Sequence, residues 1–403
     1  MVAVRVIAWS ILIGFSSACL ADDTNVGWQR TEIDPTFRAE GVTAFVVNKD
    51  GKIDVVNGEL WYEAPDWKPH EIRKPGKYDG STGYSVTFGC FAWDVNADGW
   101  TDLICIGFPG VPCHWFENPQ NKDQPWKQRQ VWHDAANESP QFVDLTGDGK
   151  PELVMASEKE GMVGYLEVPP VDKLEEPEWT FTAVSEMKLP IGSYRYYHGL
   201  GVSDLNLDGR KDVIIPHGWW EQPEKLNAGV WKFHPLNLAK TETEKPLPAS
   251  HIYTDDLDLD GDADILMSSA HAHGVWWFEN TAGKGGEPTF KYHLIDEHYS
   301  QTHALHFQDV NGDGTPDLIT GKRFWAHGPK GDPDPNGEIV MFWYELHKTA
   351  GMPPKFIPHK IDNGVGTGIG TQFHVTDING DKLLDIVLSN KKGTNLLTQV
   401  RSK

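Results

Sequence analysis

The chain reads as an all-β protein, a ring of seven blades that its own N-terminal strand closes. Three observations predict this. A nine-residue phrase, acidic at positions one, five and nine and polar at position three, occurs six times in the 403 residues, with a worn seventh copy. Each copy lies between two short apolar runs, as in Leu305-His-Phe-Gln before Asp309 and Leu318-Ile-Thr after Asp317, which makes it the turn of a β-hairpin. Each hairpin but the last is followed by an aromatic run ending in Glu and then by a strand rich in Trp, Lys and His.

The clear copies begin at Asp94, Asp144, Asp204, Asp256, Asp309 and Asp377, and the worn one, Val46 to Asp54, keeps Asn48, Asp50, Gly51 and Asp54. Their first residues lie 48, 50, 60, 52, 53 and 68 apart, a period that signals a repeat architecture. The aromatic runs are Trp61–Glu63, Trp115–Glu117, Tyr165–Glu167, Trp219–Glu221, Trp276–Glu279 and Phe342–Glu345. The fourth strands are Lys68–Ile72, Trp126–Trp132, Trp179–Val184, Trp231–Leu236, Phe290–Ile295 and Phe356–Ile361. Four such antiparallel strands make one blade of a β-propeller.

The seventh repeat stops after Asn395–Val400, in third-strand position, while a lone fourth strand, Trp28–Ile33, stands at the start and is similar to Trp126–Val131. The N-terminal strand therefore completes the last blade and removes the open edge. The fold class is a seven-bladed β-propeller of four-stranded antiparallel blades, with most of the 17 Trp filling the wedges between blades.

Arg5, the apolar run Val6–Phe15 and the small residues ending at Ala21 read as an export signal over residues 1–21. Cleavage there leaves 22–403 as a single domain in the periplasm or outside the cell. A lipid anchor on Cys19 is disfavoured, because Ser16 stands where an aliphatic residue is expected. Nothing downstream has the roughly 18 consecutive apolar residues of a membrane helix. Cys90, Cys105 and Cys113 form either one disulfide and a free thiol or three buried thiols. The formal charge of −22 argues against nucleic acid and anionic membranes as partners.

The phrase Asp-x-Asp/Asn-x-Asp-Gly-x-x-Asp resembles the turn of the FG-GAP/VCBS family of propellers, and the resemblance covers essentially all of the mature chain. The turn chemistry stands apart from that likeness. Calcium takes six to eight hard oxygens, and alternate residues of a tight loop point inward around a glycine bend. The complete sets are Asp94, Asn96, Asp98, Asp102; Asp204, Asn206, Asp208, Asp212; Asp256, Asp258, Asp260, Asp264; and Asp309, Asn311, Asp313, Asp317. A fifth copy has Asp144, Asp148 and Glu152 with Thr146 at position three, and the last has Asp377, Asn379, Asp381 and Asp385 with Lys382 in the glycine position. Calcium, where bound, is structural; the alternative is that these side chains brace the turns by accepting backbone N–H groups.

Strand direction puts function on the opposite face. Residues six before each turn, Glu40, Phe88, Glu138, His198, Ser250, His303 and Thr371, should ring the mouth of a central channel. The ends of the second strands add Glu59, Glu158, His217, His271, Lys322, Arg323, Lys391 and Lys392, with His273 and His327 nearby. So many ionisable groups are more than an apolar fold needs, and imidazoles from different strands serve as metal ligands or as acid and base.

Segments such as His198-Gly-Leu-Gly-Val, His217-Gly-Trp-Trp-Glu and Gly321-Lys-Arg-Phe-Trp-Ala-His-Gly are similar to the propeller domain of the aldos-2-ulose dehydratase family. That resemblance implies dehydration of a keto-sugar such as 1,5-anhydrofructose; the cupin domains that accompany the family's propeller have no counterpart here. β-Elimination beside a carbonyl needs a base, an electrophile and an acid. A divalent metal such as zinc on His198, His303 and Glu138 would polarise the carbonyl. His217 or His271 would act as base, Lys322 or Arg323 would steady the enolate, and Tyr196 would serve the leaving hydroxyl. The alternative is a non-catalytic calcium propeller that recognises polysaccharide or protein. No Gly-x-Ser-x-Gly, Cys-x-x-Cys-His or Gly-x-Gly-x-x-Gly motif supports a hydrolase or redox enzyme.

Overall fold

Strand follows strand through nearly the whole chain, as alternating apolar runs and glycine turns require. The computed structural model describes residues 25–186, 191–241, 243–282, 286–361 and 366–401. Residues 1–21, read above as an export signal, with Cys19 among them, and the short stretches 187–190, 242, 283–285 and 362–365 lie outside them. Among the described residues are 27 strands and three short 3-10 turns, arranged in six antiparallel sheets that resemble propeller blades. Five sheets have four strands and one has seven. In the seven-stranded sheet the long strand Lys127–Val143 pairs through its first half with Val111–Glu117 and through its second half with Glu152–Ser157. It thus serves as fourth strand of one four-stranded unit and first strand of the next.

The N-terminal strand Val26–Asp34 pairs antiparallel with the C-terminal strand Gly393–Arg401, from Val26 opposite Arg401 to Asp34 opposite Thr394. The apolar clusters run from sheet to sheet. Ile319, Met341 and Trp343 pack on Val375, Ile386 and Leu388, and Val55, Leu60 and Tyr62 of the first sheet pack on Val387 and Leu396 of the last. Backbone meets backbone at that junction: Thr371 N–H donates to the Glu40 carbonyl at 2.8 Å. A Cβ on Gly370 would lie 2.0 Å from the same oxygen, so only glycine fits. Trp115, Trp219, Trp220, Trp276 and Trp343 are each 1% exposed. At about 25 cal/mol per Å², burying some 200 Å² apiece contributes on the order of 5 kcal/mol each.

The glutamate that ends each aromatic run acquires a role here. The Trp61, Trp219, Trp277 and Trp343 rings stack on His70, His234, His293 and His359 of the fourth strands at 4.1–4.3 Å. Each histidine Nε2 meets Glu63, Glu221, Glu279 or Glu345 at 2.7–2.9 Å. In the second unit Arg129 replaces histidine, over Trp115 and paired with Glu117.

The acidic turns are held by their own side chains. Asp94 accepts from the N–H groups of Asp98 and Gly99, and Asp309 from Gly312, Asp313 and Gly314. Position six is left-handed in the clear copies, with φ from +81° to +94° at glycine and +70° at Lys382, a conformation glycine adopts at no steric cost. Position nine faces inward. One oxygen of Asp102, Asp212, Asp264 and Asp317 accepts from residue two of the turn, and the other from the residue after the aromatic-run glutamate; Asp385 likewise accepts from Ile378 and, in the third strand of its sheet, from Gln399. Asp54 of the worn copy makes the same pair, to Val47 and Ala64. Glu152, one methylene longer, takes Leu145 and Thr146 instead. Cys90, Cys105 and Cys113 are free and buried.

Candidate functional site

On the face opposite the acidic turns, strand ends from different sheets converge. Glu138 comes from the long shared strand, His198 from the segment before Gly201–Ser203, His271 from the end of Asp264–Ser269, and His303 from the approach to Leu305–Gln308. One donor atom from each of the four lies within 4.8 Å of all the others. His198 Nε2 is 3.4 Å and His303 Nε2 3.1 Å from Glu138 Oε2, and His198 and His271 place their Nε2 atoms 2.8 Å apart. A four-coordinate zinc ion with ligands at about 2.0–2.1 Å keeps neighbouring donors about 3.3 Å apart. Three imidazoles and one carboxylate at these separations fit such an ion.

The electrostatics follow from burial. Burial raises the Glu138 carboxyl, but hydrogen bonds and charge from His198 and His303 outweigh it and hold it well below the usual range. Burial lowers His303 well below its ordinary value, with the Arg323 charge adding to it, and burial lowers His271 as well. Neutral imidazole is the form that binds a metal.

The cluster forms part of the wall of a cavity of about 360 Å³. Glu138, His198, His271, Arg323 and His327 make its polar lining; Tyr84, Phe88, Phe108 and Tyr196 make its aromatic lining. The aromatic rings contact one another at 5.2–5.8 Å. Arg323 is buried and bound to Glu40 at 2.7 Å, so it faces the cavity already paired. A larger groove, about 970 Å³, opens between the first two sheets beside the acidic turns. Some of its polar groups are taken up by one another, as His70 by Glu63 and Asn118 by the Val47 carbonyl. Converging donors favour the smaller cavity.

Sequence-predicted residues divide accordingly. Glu138, His198, Arg323 and Tyr196 line the cavity, with His303 buried behind them against Glu138. His271 joins them as a fourth metal-type donor, its Nε2 2.8 Å from His198 Nε2. His217 stands aside, its Nδ1 2.5 Å from the Tyr197 hydroxyl. Lys322 is corrected: its ammonium is buried and donates to Ser300 Oγ at 2.6 Å and the Asp334 carbonyl at 2.7 Å, where no enolate can reach. Glu59 accepts from Tyr78, Glu158 pairs with Arg195, and His273 meets the Glu297 carbonyl. Among the acidic turns, Asp256, Asp258 and Asp260 bring three carboxylates within 4.8 Å.

Sequence reasoning missed Asp332, Tyr84 and Phe108. Asp332 sits in an insertion of Gly, Asp and Pro, where nothing in composition separates it from its neighbours. Tyr84 lies just upstream of Phe88 and Phe108 just past a second strand, and an offset count by itself could have flagged them as aromatic neighbours of the rim.

The family model for the FG-GAP-like repeat matches residues 94–155 and 256–320, each stretch running from one acidic turn through the next. The chain contains an FG-GAP-like repeat region. No curated protein sequence matches it. Among solved structures, an Agrocybe aegerita lectin described as recognising non-reducing terminal N-acetylglucosamine is 16% identical, with 94% of this chain and 86% of that one covered and a TM-score of 0.45. BBS1N in complex with ARL6DN is 10% identical over 93% of this chain and 97% of that one, at 0.51. The V. cholerae biofilm matrix protein Bap1 is 14% identical over 77% and 38%, at 0.32. At these identities the likeness concerns the fold, and none of the three is an aldos-2-ulose dehydratase.

Proposed function

We propose that the chain is an exported seven-bladed propeller, closed by its N-terminal strand, that recognises a small hydroxylated ligand in a metal-centred funnel. Residues 1–21 are the export signal and 22–403 one domain. The pairing of Val26–Asp34 with Gly393–Arg401 and the packing of first sheet on last support the closed ring; counting the seven-stranded sheet as two blades gives seven. Calcium in the acidic turns neutralises crowded carboxylates and stiffens the side away from the site.

The observation that carries the reading is the convergence of Glu138, His198, His271 and His303 beside an aromatic wall. A bound divalent ion would supply a Lewis-acid contact for a hydroxyl or carbonyl oxygen. The chain's own groups do the rest. Tyr196 and Phe108 offer apolar faces to the C–H face of a sugar ring, whose hydroxyl rim then points at polar groups. Arg323, fixed by Glu40, presents donors without freedom to reorient. A cavity of about 360 Å³ suits one or two sugar residues, which places recognition at a chain end or a free sugar. Calorimetry against a panel of neutral and acidic mono- and disaccharides tests this. Binding that weakens at least tenfold in Tyr196→Ala, and on removal of transition metal with calcium retained, supports it; no binding by any sugar counts against it.

The enclosed grouping of metal-type donors beside Arg323 and Tyr196 favours a second reading, elimination of water from a keto-sugar. With Lys322 otherwise engaged, the Tyr84 and Tyr196 hydroxyls and the His327 imidazole are the proton-carrying groups that line the cavity beside the inner cluster. Growth of enone absorbance with 1,5-anhydrofructose, lost in Tyr196→Phe, would move the assignment from recognition to catalysis.

A further inference from the structure

The inner cluster leaves a difficulty for any ligand that must touch a metal. Glu138, His198, His271 and His303 supply four protein donors, which fill a tetrahedral ion, whereas sites that engage a ligand keep a position open. The structure offers a second group of donors on the solvent side of the first. His271, His327 and Asp332 also bring one donor each within 4.8 Å of one another.

His271 belongs to both groups and uses a different nitrogen in each. Its Nε2 lies 2.8 Å from His198 Nε2. Its Nδ1 is buried, has no hydrogen-bond partner and lies 3.5 Å from Asp332 Oδ1. A carboxylate that merely orients a metal-bound imidazole accepts its N–H at hydrogen-bond distance; here the gap is too long. That oxygen meets His327 Nδ1 at 2.9 Å. The His327 and His271 rings stack at 4.5 Å and 27°, so a turn of the half-exposed His327 ring is needed to aim both nitrogens at one ion. The Asp332 side chain is 5% exposed and that of His327 49%, and His271 and His327 line the cavity, so the group is anchored on its Asp332 side and open at His327.

We propose a second divalent-metal position on His271 Nδ1, His327 Nδ1 and Asp332, joined to the inner one through the His271 ring. The proposal rests on the inner site described above and assigns ligand contact to the outer ion. Three protein donors would leave it an open position, and His271 and His327 share their cavity with Tyr84, Phe108 and Tyr196. When both ring nitrogens are engaged, His271 gives its remaining N–H proton to solvent, and uptake of the second ion releases that proton.

The test is metal stoichiometry in the full-length mature protein. The protein is stripped by chelation and reloaded with zinc in excess calcium, which keeps zinc off the acidic turns; zinc is then counted by mass spectrometry. Two equivalents are expected, falling to one in Asp332→Asn/His327→Ala, with circular dichroism confirming the fold. A copper-loaded sample adds an independent readout. Coupling across the shared ring suppresses the cupric resonance of the wild type, and the same double variant restores it. One equivalent, lost in His198→Ala/His303→Ala and unchanged in Asp332→Asn/His327→Ala, overturns the second position and leaves the first. No zinc in the wild type removes both. Loss of both equivalents in the outer variant makes Asp332 and His327 supports of the inner ion and overturns the proposal.

Discussion

The inward aspartate at position nine of the acidic turn should stabilise the fold without calcium, and Asp317 isolates the effect. It is 0% exposed; Oδ2 accepts from Val310 N–H and Oδ1 from Leu346 N–H, both at 3.0 Å. These bonds tie the turn to the strand Met341–Thr349, which the acidic spacing alone would not require. In Asp317→Asn one oxygen remains to accept, and the new NH₂ faces the other buried N–H. An unsatisfied buried donor costs about 1–3 kcal/mol, and the lost charge assistance adds to it. Asp317→Ala abandons both donors, for about 2–6 kcal/mol on the same basis. The assay is urea unfolding at pH 8 in excess EDTA, which removes ion binding from the comparison. A change below about 0.5 kcal/mol for Asp317→Asn under EDTA, with a large loss of the calcium response, would refute the brace and make position nine purely a cation ligand.

Burial pushes Asp102, Asp212, Asp264 and Asp317 up to about 7. With folded values above the unfolded 3.8, their contribution is fully present below pH 3.8 and lost as pH rises through 7. Calcium-free protein should lose at least about 2 kcal/mol between pH 5 and 8, and calcium should restore it; equal urea midpoints would count against this. His251, which lines a small cavity of about 120 Å³ together with Glu138 and Phe88, is lowered by burial to about 3, so its contribution holds above pH 6.5 and falls as pH drops toward 3. His251→Gln should therefore reduce the acid sensitivity between pH 7 and 5 by about 2 kcal/mol relative to wild type; parallel pH curves would contradict it. Gly370→Ala forces a methyl against the Glu40 carbonyl and should cost about 1–3 kcal/mol or more, measured by thermal unfolding; wild-type stability would mean the first and last sheets can separate there freely.

The fold was legible because one short phrase repeats with its carboxylates in register, and because an unmatched strand stands at each end of the chain. Those features are local, and local chemistry fixes them. The pairing of Trp28 with Gln399 and of Glu32 with Asn395 follows from that mismatch. The site was only half legible. Counting back from each turn put Glu138, His198 and His303 at neighbouring strand ends, where they meet. Counting could not show which nitrogen of His271 points inward, nor that the Lys322 stem turns under Ser300, because those depend on side-chain packing between sheets. Asp332 was hidden in an insertion whose path no periodicity constrains. For the position-nine aspartates the spacing leaves calcium ligation and turn bracing as alternatives, since it does not show that both oxygens already hold backbone N–H groups.

The most direct test is transition-metal content of the purified mature protein, measured by mass spectrometry for wild type and for His198→Ala/His303→Ala in the same calcium buffer. The account predicts bound transition metal in the wild type, its loss or halving in the variant, and calcium unchanged in both. Calcium alone, the same in wild type and variant, would contradict the metal-centred funnel and leave a propeller whose ions serve only its turns.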